Sequence, residues 1–136
     1  MEERILKIKK MLESATTVAI VGLSDNSVRD SYNVAKYLQS EGYKIIPVNP
    51  MLSEVLGEKC YPKLTDIEVP VDIVDIFRRS EYVHNIVNDA ITIEAKHIWM
   101  QDGVVDENAA LLAEKLGITV VMNDCILRRH KSLKTY

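Results

Sequence analysis

The sequence feature best suited to chemistry is a short turn, in which Gly22 follows the apolar run Thr17–Val21 and precedes a helical pattern. Backbone N–H groups beside a glycine can approach an anion closely, and the first turn of a helix adds a partial positive charge. The turn therefore indicates a phosphate site. The alternative is a tight strand-to-helix connection in which Ser24 or Asp25 only caps the helix.

This turn fails to match two common enzyme motifs. The dinucleotide fingerprint GxGxxG requires glycines where the chain has Ser24 and Ser27, and an acidic residue about 20 positions on to hold the ribose hydroxyls. The second apolar run ends instead in Pro-Val-Asn-Pro, residues 47–50. The GxSxG elbow of serine hydrolases matches Gly22 and Ser24, but Asn26 replaces its second glycine and the sequence indicates no triad partner.

Two arginines and the single phenylalanine follow the third apolar run. Arg78 and Arg79 precede Ser80, which fits a helix N-cap, and a planar guanidinium suits phosphate oxygens. Phe77 can cover an adenine ring from the same position. A core phenylalanine and solvated surface arginines explain these residues equally well.

Polar residues also lie in or after the other apolar runs. Gln101 can offer a donor and an acceptor to a ligand amide, and Gly103 lets the backbone approach closely, although an ordinary turn explains both. Cys125 has no nearby base and is predicted to be inert. Asp75, an acid inside the third run, is expected to accept hydrogen bonds from loop N–H groups near the first turn.

The remaining titratable residues indicate no separate site. His84, His97 and His130 have no metal-ligand spacing, so we predict no metal. The basic run over residues 128–134 is expected to be a solvated C-terminal segment.

Composition and charge argue against several classes of function and location. The chain has 136 residues, with 17 Lys and Arg, 20 Asp and Glu and a net charge of −3, which disfavours sequence-independent binding to nucleic acid. No apolar run approaches the roughly 20 residues of a membrane span. Residues 1–14 alternate charged and apolar side chains, which predicts a helix rather than a signal peptide. Two cysteines without CxxC spacing favour a reducing, cytoplasmic location.

Five apolar runs rich in Val and Ile must form the strands that position these residues. They lack the polar alternation of a one-sided sheet, which predicts parallel strands covered on both faces. The predicted strands are Thr17–Val21, Lys44–Val48, Asp72–Ile76, His97–Met100 and Thr119–Met122. Prolines and Gly57 between the second and third strands predict an irregular connection with one short turn.

The other connections between the predicted strands have the periodicity of amphipathic helices. Helices are predicted over about residues 32–41, 83–91 and 109–116. Asp106 fits an N-cap, and Gly42 and Gly117 fit helix ends. The order of elements predicts an α/β fold, a Rossmann-like doubly wound five-stranded parallel sheet in three layers, preceded by an N-terminal helix. We expect residues 1–136 to form one domain, with its ligand outside the carboxyl ends of the strands.

The strand ends, read together, resemble the small CoA-binding domain family, which is related to the N-terminal domain of the α-subunit of succinyl-CoA synthetase. The resemblance covers about residues 18–125. It rests on the order and spacing of VAIVGLSDN, SYNVAKYLQSEGYKIIPVNP, EVLGEKCYPKL, PVDIVDIFRRSE, IWMQDGVVDENAA and GITVVMNDCI. One departure is Asp30, where many members have proline.

This resemblance implies a Rossmann-like fold that binds coenzyme A, with the adenosine and diphosphate around the first turn and the neighbouring strand ends. The site residues it implies are Gly22, Leu23, Ser24, Asp25, Asn26, Asn49, Phe77, Arg78, Gln101 and Gly103. Since the partner domains of the synthetases have no counterpart in this chain, we expect a stand-alone protein that binds CoA or acyl-CoA. We expect no membrane association, an unidentified protein partner at most, and no catalytic residue.

Three alternatives remain open. The first is a small NAD(P)-binding oxidoreductase, since an NADP site can use arginine in place of the missing acid. The second is a subunit of an acyl-CoA synthetase-like enzyme. The third is a regulatory protein with a vestigial nucleotide site. The candidates for holding the 3′-phosphate of CoA are Arg29, Arg78 and Arg79. A disulfide from CoA to Cys60 or Cys125 also remains open.

Overall fold

The computed structural model describes residues 2–134, in which seven strands form two sheets. The strands are β1 Thr17–Val21, β2 Lys44–Val48, β3 Glu54–Val55, β4 Glu58–Lys59, β5 Ile73–Ile76, β6 His97–Met100 and β7 Thr119–Val121. Five of them form a parallel sheet in the order β2-β1-β5-β6-β7, while β3 and β4 pair separately. The predicted Rossmann-like fold is confirmed.

Five α-helices surround this sheet within the described residues. They are α1 Glu3–Ser14, α2 Asp30–Ser40, α3 Val83–Thr92, α4 Glu107–Lys115 and α5 Ile126–Leu133. The N-terminal helix is confirmed. None of these helices, within residues 2–134, has the length and apolar character needed to cross a membrane.

The two faces of the sheet are covered by different helices, because successive side chains of β1 point alternately to one face and to the other. Ala19 and Val21 belong to a buried cluster with side chains of α3 and α4. Val18 and Ile20 belong to a second cluster with side chains of α1, α2 and α5. Because both faces are buried, each strand requires an almost continuous apolar sequence, and this confirms the three-layer prediction.

Helix boundaries follow local chemistry at some ends and tertiary contacts at others. The carboxylate of Asp106 accepts a hydrogen bond from Ala109 N at 3.0 Å, so the predicted N-cap is confirmed. Ser80 is not an N-cap, because a 3₁₀ turn over Ser80–Tyr82 comes before α3. The Ser80 hydroxyl instead accepts a hydrogen bond from Val105 N at 2.9 Å.

The connection between β2 and β5 contains the hairpin of β3 and β4, which the sequence analysis did not predict. Leu56 and Gly57 form its turn with φ of 53° and 78°, and positive φ at both central residues is the geometry that twisted hairpins favour. The expected short turn is the 3₁₀ helix Leu64–Asp66. Tyr61 forms an isolated parallel β-bridge with Val48, so this connection returns to the sheet beside β2.

The basic C-terminal run is a docked helix rather than the solvated segment we expected. Ile126 and Leu133 of α5 are buried in the cluster that α1 and α2 share. Arg128 and Arg129 reach back to Asp124, at 3.1 Å and 3.0 Å. The apolar residues and these ion pairs together hold α5 against the sheet.

Candidate functional site

Three adjoining cavities open along the carboxyl edge of the sheet. The β2 cleft has a volume of about 580 Å³, and its lining includes Val21, Val48, Asn49, Lys63, Arg78 and Ile86. The turn pocket measures about 480 Å³, and its lining includes Gly22, Ser24, Arg29 and Ser31. The α5 pocket measures about 330 Å³, and its lining includes Asn33, Gln101, Cys125 and Arg128.

The cavities meet at shared residues and so form one groove. Gly22 lines both the β2 cleft and the turn pocket. Asp30 and Phe77 line both the turn pocket and the α5 pocket. The groove therefore runs from the end of β2, past the first turn, to the start of α5, as expected for ligands of an open parallel sheet.

Gly22 lies where the β2 cleft and the turn pocket meet. Its φ is 87°, and a Cβ atom there would lie 2.6 Å from the carbonyl oxygen of Phe77 and 2.9 Å from Cδ of Arg78. Its N–H donates to Val48 O at 2.9 Å. A glycine is therefore required both by the backbone conformation and by the close approach of the residues after β5.

The loop after Gly22 satisfies some of its own N–H groups and leaves the start of α2 without a side-chain cap. Ser24 N donates to Ser31 Oγ at 3.0 Å, and Asn26 N donates to Ser24 Oγ at 3.0 Å. Arg29 occupies the N-cap position of α2, and within residues 2–134 no side-chain capping hydrogen bond forms there. Neither Ser24 nor Asp25 is thus a helix cap, and Asp30 and Ser31, at the start of α2, line the turn pocket.

Leu23 and Asn49 connect the ends of β1 and β2. The Leu23 side chain is fully buried, and Leu23 is not part of the lining of the three cavities. Asn49 Nδ2 donates to Leu23 O at 3.0 Å, and Asn49 Oδ1 accepts from Met51 N at 2.9 Å. Asn49 therefore shapes the junction between the turn and the β2 cleft, with both ends of its amide in use.

The three residues after β5 differ in how they lie relative to the cavities. Arg78 lines the β2 cleft with its guanidinium 4.4 Å from the centre of the Tyr82 ring, and it forms no ion pair within residues 2–134. The Arg79 side chain is 84% exposed, lies 3.9 Å from Glu81 and lines none of the three cavities. Phe77 is half-buried and separates the turn pocket from the α5 pocket.

Gln101 and Gly103 both serve the protein's own structure. Gln101 is 5% exposed and lines the α5 pocket, and its Oε1 accepts a hydrogen bond from Ile126 N at 3.2 Å. Gly103 has φ of 79° and donates its N–H to Asn123 Oδ1 at 2.8 Å, outside the three cavities. Of the two, only Gln101 borders the groove.

Asp124 is a buried carboxylate for which no structural role was predicted from sequence. Besides Arg128 and Arg129, it accepts a hydrogen bond from Cys125 N at 2.9 Å. Arg128 also forms a two-point contact with Asp102, and this hydrogen bonding lowers the pKa of the Asp102 carboxyl. An acid followed four positions later by an arginine, as in Asp124 and Arg128, is the part of this arrangement that a sequence pattern indicates.

Asp75 does not accept the hydrogen bonds we expected. Its side chain is fully buried, and neither carboxyl oxygen has a partner within residues 2–134. Its register neighbours are Ile20 and Trp99, in the flanking strands β1 and β6. Burial therefore raises the pKa of Asp75 well above its usual value, and the neutral acid is favoured.

Lys63, Asn85 and Asp89 line the β2 cleft and were not predicted from sequence. Asn85 and Asp89 belong to α3, whereas Lys63 follows the hairpin connection. They come together only because that connection returns to the end of β2 opposite α3. The cleft thus combines apolar walls with a few polar groups, as small-molecule sites do.

The chain is similar to proteins of known sequence and structure over nearly its whole length. The uncharacterized protein YneT of Bacillus subtilis is 41% identical over 128 residues, which cover 94% of this chain and 95% of YneT. The structure of a hypothetical protein from Pyrococcus horikoshii OT3 matches with a TM-score of 0.92 and 36% identity, over 96% of this chain and 92% of that chain.

One relative is a much larger protein. The ADP-forming acetate-CoA ligase of Methanocaldococcus jannaschii is 24% identical over 125 residues, which cover 86% of this chain and 18% of the ligase. The family model described as the CoA binding domain matches residues 16–131. With that match spanning the sheet and all three cavities, the chain belongs to the CoA binding domain family.

Proposed function

We propose that this protein binds coenzyme A or an acyl-CoA along the groove at the carboxyl edge of its sheet. The observation that carries the proposal is the arrangement of the three cavities, with the uncapped start of α2 and Gly22 in the middle. CoA has a diphosphate between an adenosine and a flexible thiol-bearing arm. A phosphate-binding turn between two further cavities suits that shape.

The diphosphate would lie against the turn pocket. The N–H groups at the start of α2 and the helix dipole favour an anion there. Arg78 adds a cation from the β2 cleft, and Arg29 adds one from the turn pocket itself. Asp30 opposes them with a negative charge in the first turn of α2, so we expect moderate rather than very tight affinity.

The two arms of the ligand would enter the outer cavities. Val21, Val48 and Ile86 give the β2 cleft apolar surfaces that suit an adenine ring, while Asn85 and Asp89 can hydrogen-bond its polar edge. The thiol-bearing arm would pass Phe77 into the α5 pocket. Cys125 lines that pocket, which keeps a disulfide with CoA open and disfavours one with Cys60.

CoA suits this groove better than NAD does. An NAD site needs an acidic side chain at the end of the second strand to hold the ribose hydroxyls. Asn49 occupies that place, and its amide is already used by Leu23 O and Met51 N. This difference supports a CoA-binding protein over an NAD-dependent oxidoreductase.

A second candidate is a subunit of a synthetase-like enzyme. It is favoured by the similarity to a segment covering 18% of an acetate-CoA ligase. In that case the groove would hold CoA while a partner supplied the chemistry. Because the groove residues described above form no catalytic set of their own, the binding function is the part that we propose for this chain.

Thermal unfolding in the presence of CoA, acetyl-CoA, NAD, NADP and ATP tests the proposal. A ligand at 100 times its dissociation constant adds about 2.7 kcal/mol of stability, which raises Tm by several degrees. We expect CoA and acetyl-CoA to do so, and NAD and NADP to have no effect. Stabilisation by NADP alone would instead indicate an oxidoreductase, and no stabilisation by any ligand would refute the proposal.

A further inference from the structure

The β2 cleft contains a cation that the diphosphate site does not use. Lys63 is exposed and lines the cleft, and its ammonium group makes no hydrogen bond or ion pair within residues 2–134. Some lysines of this chain are paired with carboxylates, as Lys44 is with Glu58 and Lys96 is with Asp72, whereas the Lys63 ammonium is not. A lysine at the wall of a cleft and without a partner is available to an anionic ligand.

The backbone around Lys63 is held in place from both sides. Tyr61 N donates to Pro47 O, and Asn49 N donates to Tyr61 O, each at 2.9 Å. The next residue, Leu64, is 2% exposed and begins the 3₁₀ turn that packs under α3. The position of the Lys63 side chain at the rim is therefore fixed by the fold, and only its own rotamers are free.

Coenzyme A differs from related nucleotides by a phosphate on the 3′ oxygen of its ribose. With the diphosphate at Gly22 and the adenine in the β2 cleft, the ribose and its 3′-phosphate would lie between them. That dianion needs a cation in the cleft itself, and Lys63 and Arg78 are the cations that line it. The acid in the same lining is Asp89, so the phosphate would sit away from α3.

The cationic side chains near the groove differ in what they can reach. Arg78 is packed on Tyr82 beside Gly22, at the diphosphate end. Arg29 lines the turn pocket and not the cleft. Arg79 points to solvent near Glu81. This leaves Lys63 as the cation on the cleft wall that the diphosphate does not require.

We propose that Lys63 binds the 3′-phosphate and thereby makes this protein selective for CoA over 3′-dephospho-CoA. The inference rests on the proposed function. Because an ammonium is a point charge on a flexible stem, Lys63→Arg should keep the selectivity, whereas Lys63→Gln should lose it.

Calorimetric titration with CoA and with 3′-dephospho-CoA tests this assignment. We expect Lys63→Gln to raise the Kd for CoA by about tenfold, the effect of one lost charge-assisted hydrogen bond, and to leave the Kd for 3′-dephospho-CoA unchanged. The matched control is Lys115→Gln, an exposed lysine of α4 that lines none of the three cavities. It should change neither Kd, and both variants should unfold at the wild-type temperature.

The outcomes separate this inference from the function on which it rests. A wild-type protein that binds both ligands equally well would overturn the role of Lys63 while leaving CoA binding intact. The role of Lys63 would also be overturned if Lys63→Gln lost affinity equally for both ligands, or lost affinity for neither. A wild-type protein that binds neither ligand would overturn the proposed function together with the inference.

Discussion

The two halves of the carboxyl edge use their polar residues in opposite ways. Near β1 and β2, no side chain caps α2, and Arg78 and Lys63 form no ion pairs within the described residues. Near β6 and β7, Gln101 and Asp124 are both committed to holding α5. Polar residues at the ends of the strands are therefore available to a ligand only where the fold does not use their hydrogen-bond donors and charges itself.

The largest effect should follow from Gly22→Ala. The new Cβ would lie 2.6 Å from Phe77 O, so the turn must move away from the residues after β5. We expect the affinity for CoA, measured by calorimetry, to fall at least about 100-fold, or about 2.7 kcal/mol.

Gly103→Ala is the matched control for that change. Gly103 has a similar φ of 79°, and nothing lies within 4 Å of an added Cβ. It should lose about 1 kcal/mol of stability from the strained φ alone, with CoA affinity preserved. An equal loss of CoA affinity in both variants would contradict the difference between the two halves.

Arg78→Ala should weaken CoA binding by about 1.5–3 kcal/mol, the scale for losing a hydrogen bond to a charged group. Arg79→Ala should leave the Kd unchanged, because Arg79 lines no cavity and is 84% exposed. Calorimetric titration of both variants makes the comparison. An unchanged Kd for Arg78→Ala would remove that residue from the site.

Asp124→Asn should affect stability rather than binding. The change removes the charge that Arg128 and Arg129 face, and both arginines are partly exposed, so we expect unfolding free energy to fall by about 2 kcal/mol. Asp102→Asn, at a side chain 56% exposed, should cost less than about 1 kcal/mol. Urea unfolding with an unchanged m-value checks both, and a larger loss for Asp102→Asn would show that α5 is held elsewhere.

A further effect is a pH dependence of stability that originates at the centre of the sheet. Burial raises the pKa of Asp75, so the folded state keeps a proton that the unfolded chain loses above about pH 4. Stability should therefore fall by up to about 1.4 kcal/mol per pH unit as pH rises above 4. In Asp75→Asn this dependence should vanish, as urea unfolding between pH 4 and 7 would detect.

Asp72, three residues earlier, gives the opposite sign and serves as the control. Although burial raises its pKa, hydrogen bonds from Thr16 and Thr17 lower it to about 2. The stabilisation by Asp72 is present above about pH 4 and is lost as pH falls toward 2. Asp72→Asn should thus be most destabilising near neutral pH, and the same slope for both variants would contradict these assignments.

The sheet could be predicted from sequence because its determinants are local. Strands β1, β2 and β6 have the predicted bounds, since nearly continuous apolar runs are required where both faces are buried. The hairpin was missed because Leu56, an apolar residue, adopts the positive φ of the turn. The predictions for β5 and β7 were each one residue too long, because Asp72 and Met122 lie just outside the observed strands.

The site could be located from sequence, but the use of each side chain could not. The strand ends and Gly22 indicate where a ligand binds, since parallel strands end at one edge. Whether Gln101 is free depends on Ile126, 25 positions away. Lys63 reaches the cleft only because Tyr61 returns to the end of β2. Such contacts depend on tertiary packing, which no local pattern encodes.

The return of Tyr61 to β2 also bears on aggregation. An uncovered outer strand invites pairing with another chain and growth into larger assemblies. Here Pro47 has no N–H to offer, its carbonyl is taken by Tyr61 N, and Lys44 pairs with Glu58 of the hairpin. The same segment that supplies Lys63 thus blocks the outer side of β2, so a variant that loosens it would expose an aggregation-prone edge as well as weaken the cleft.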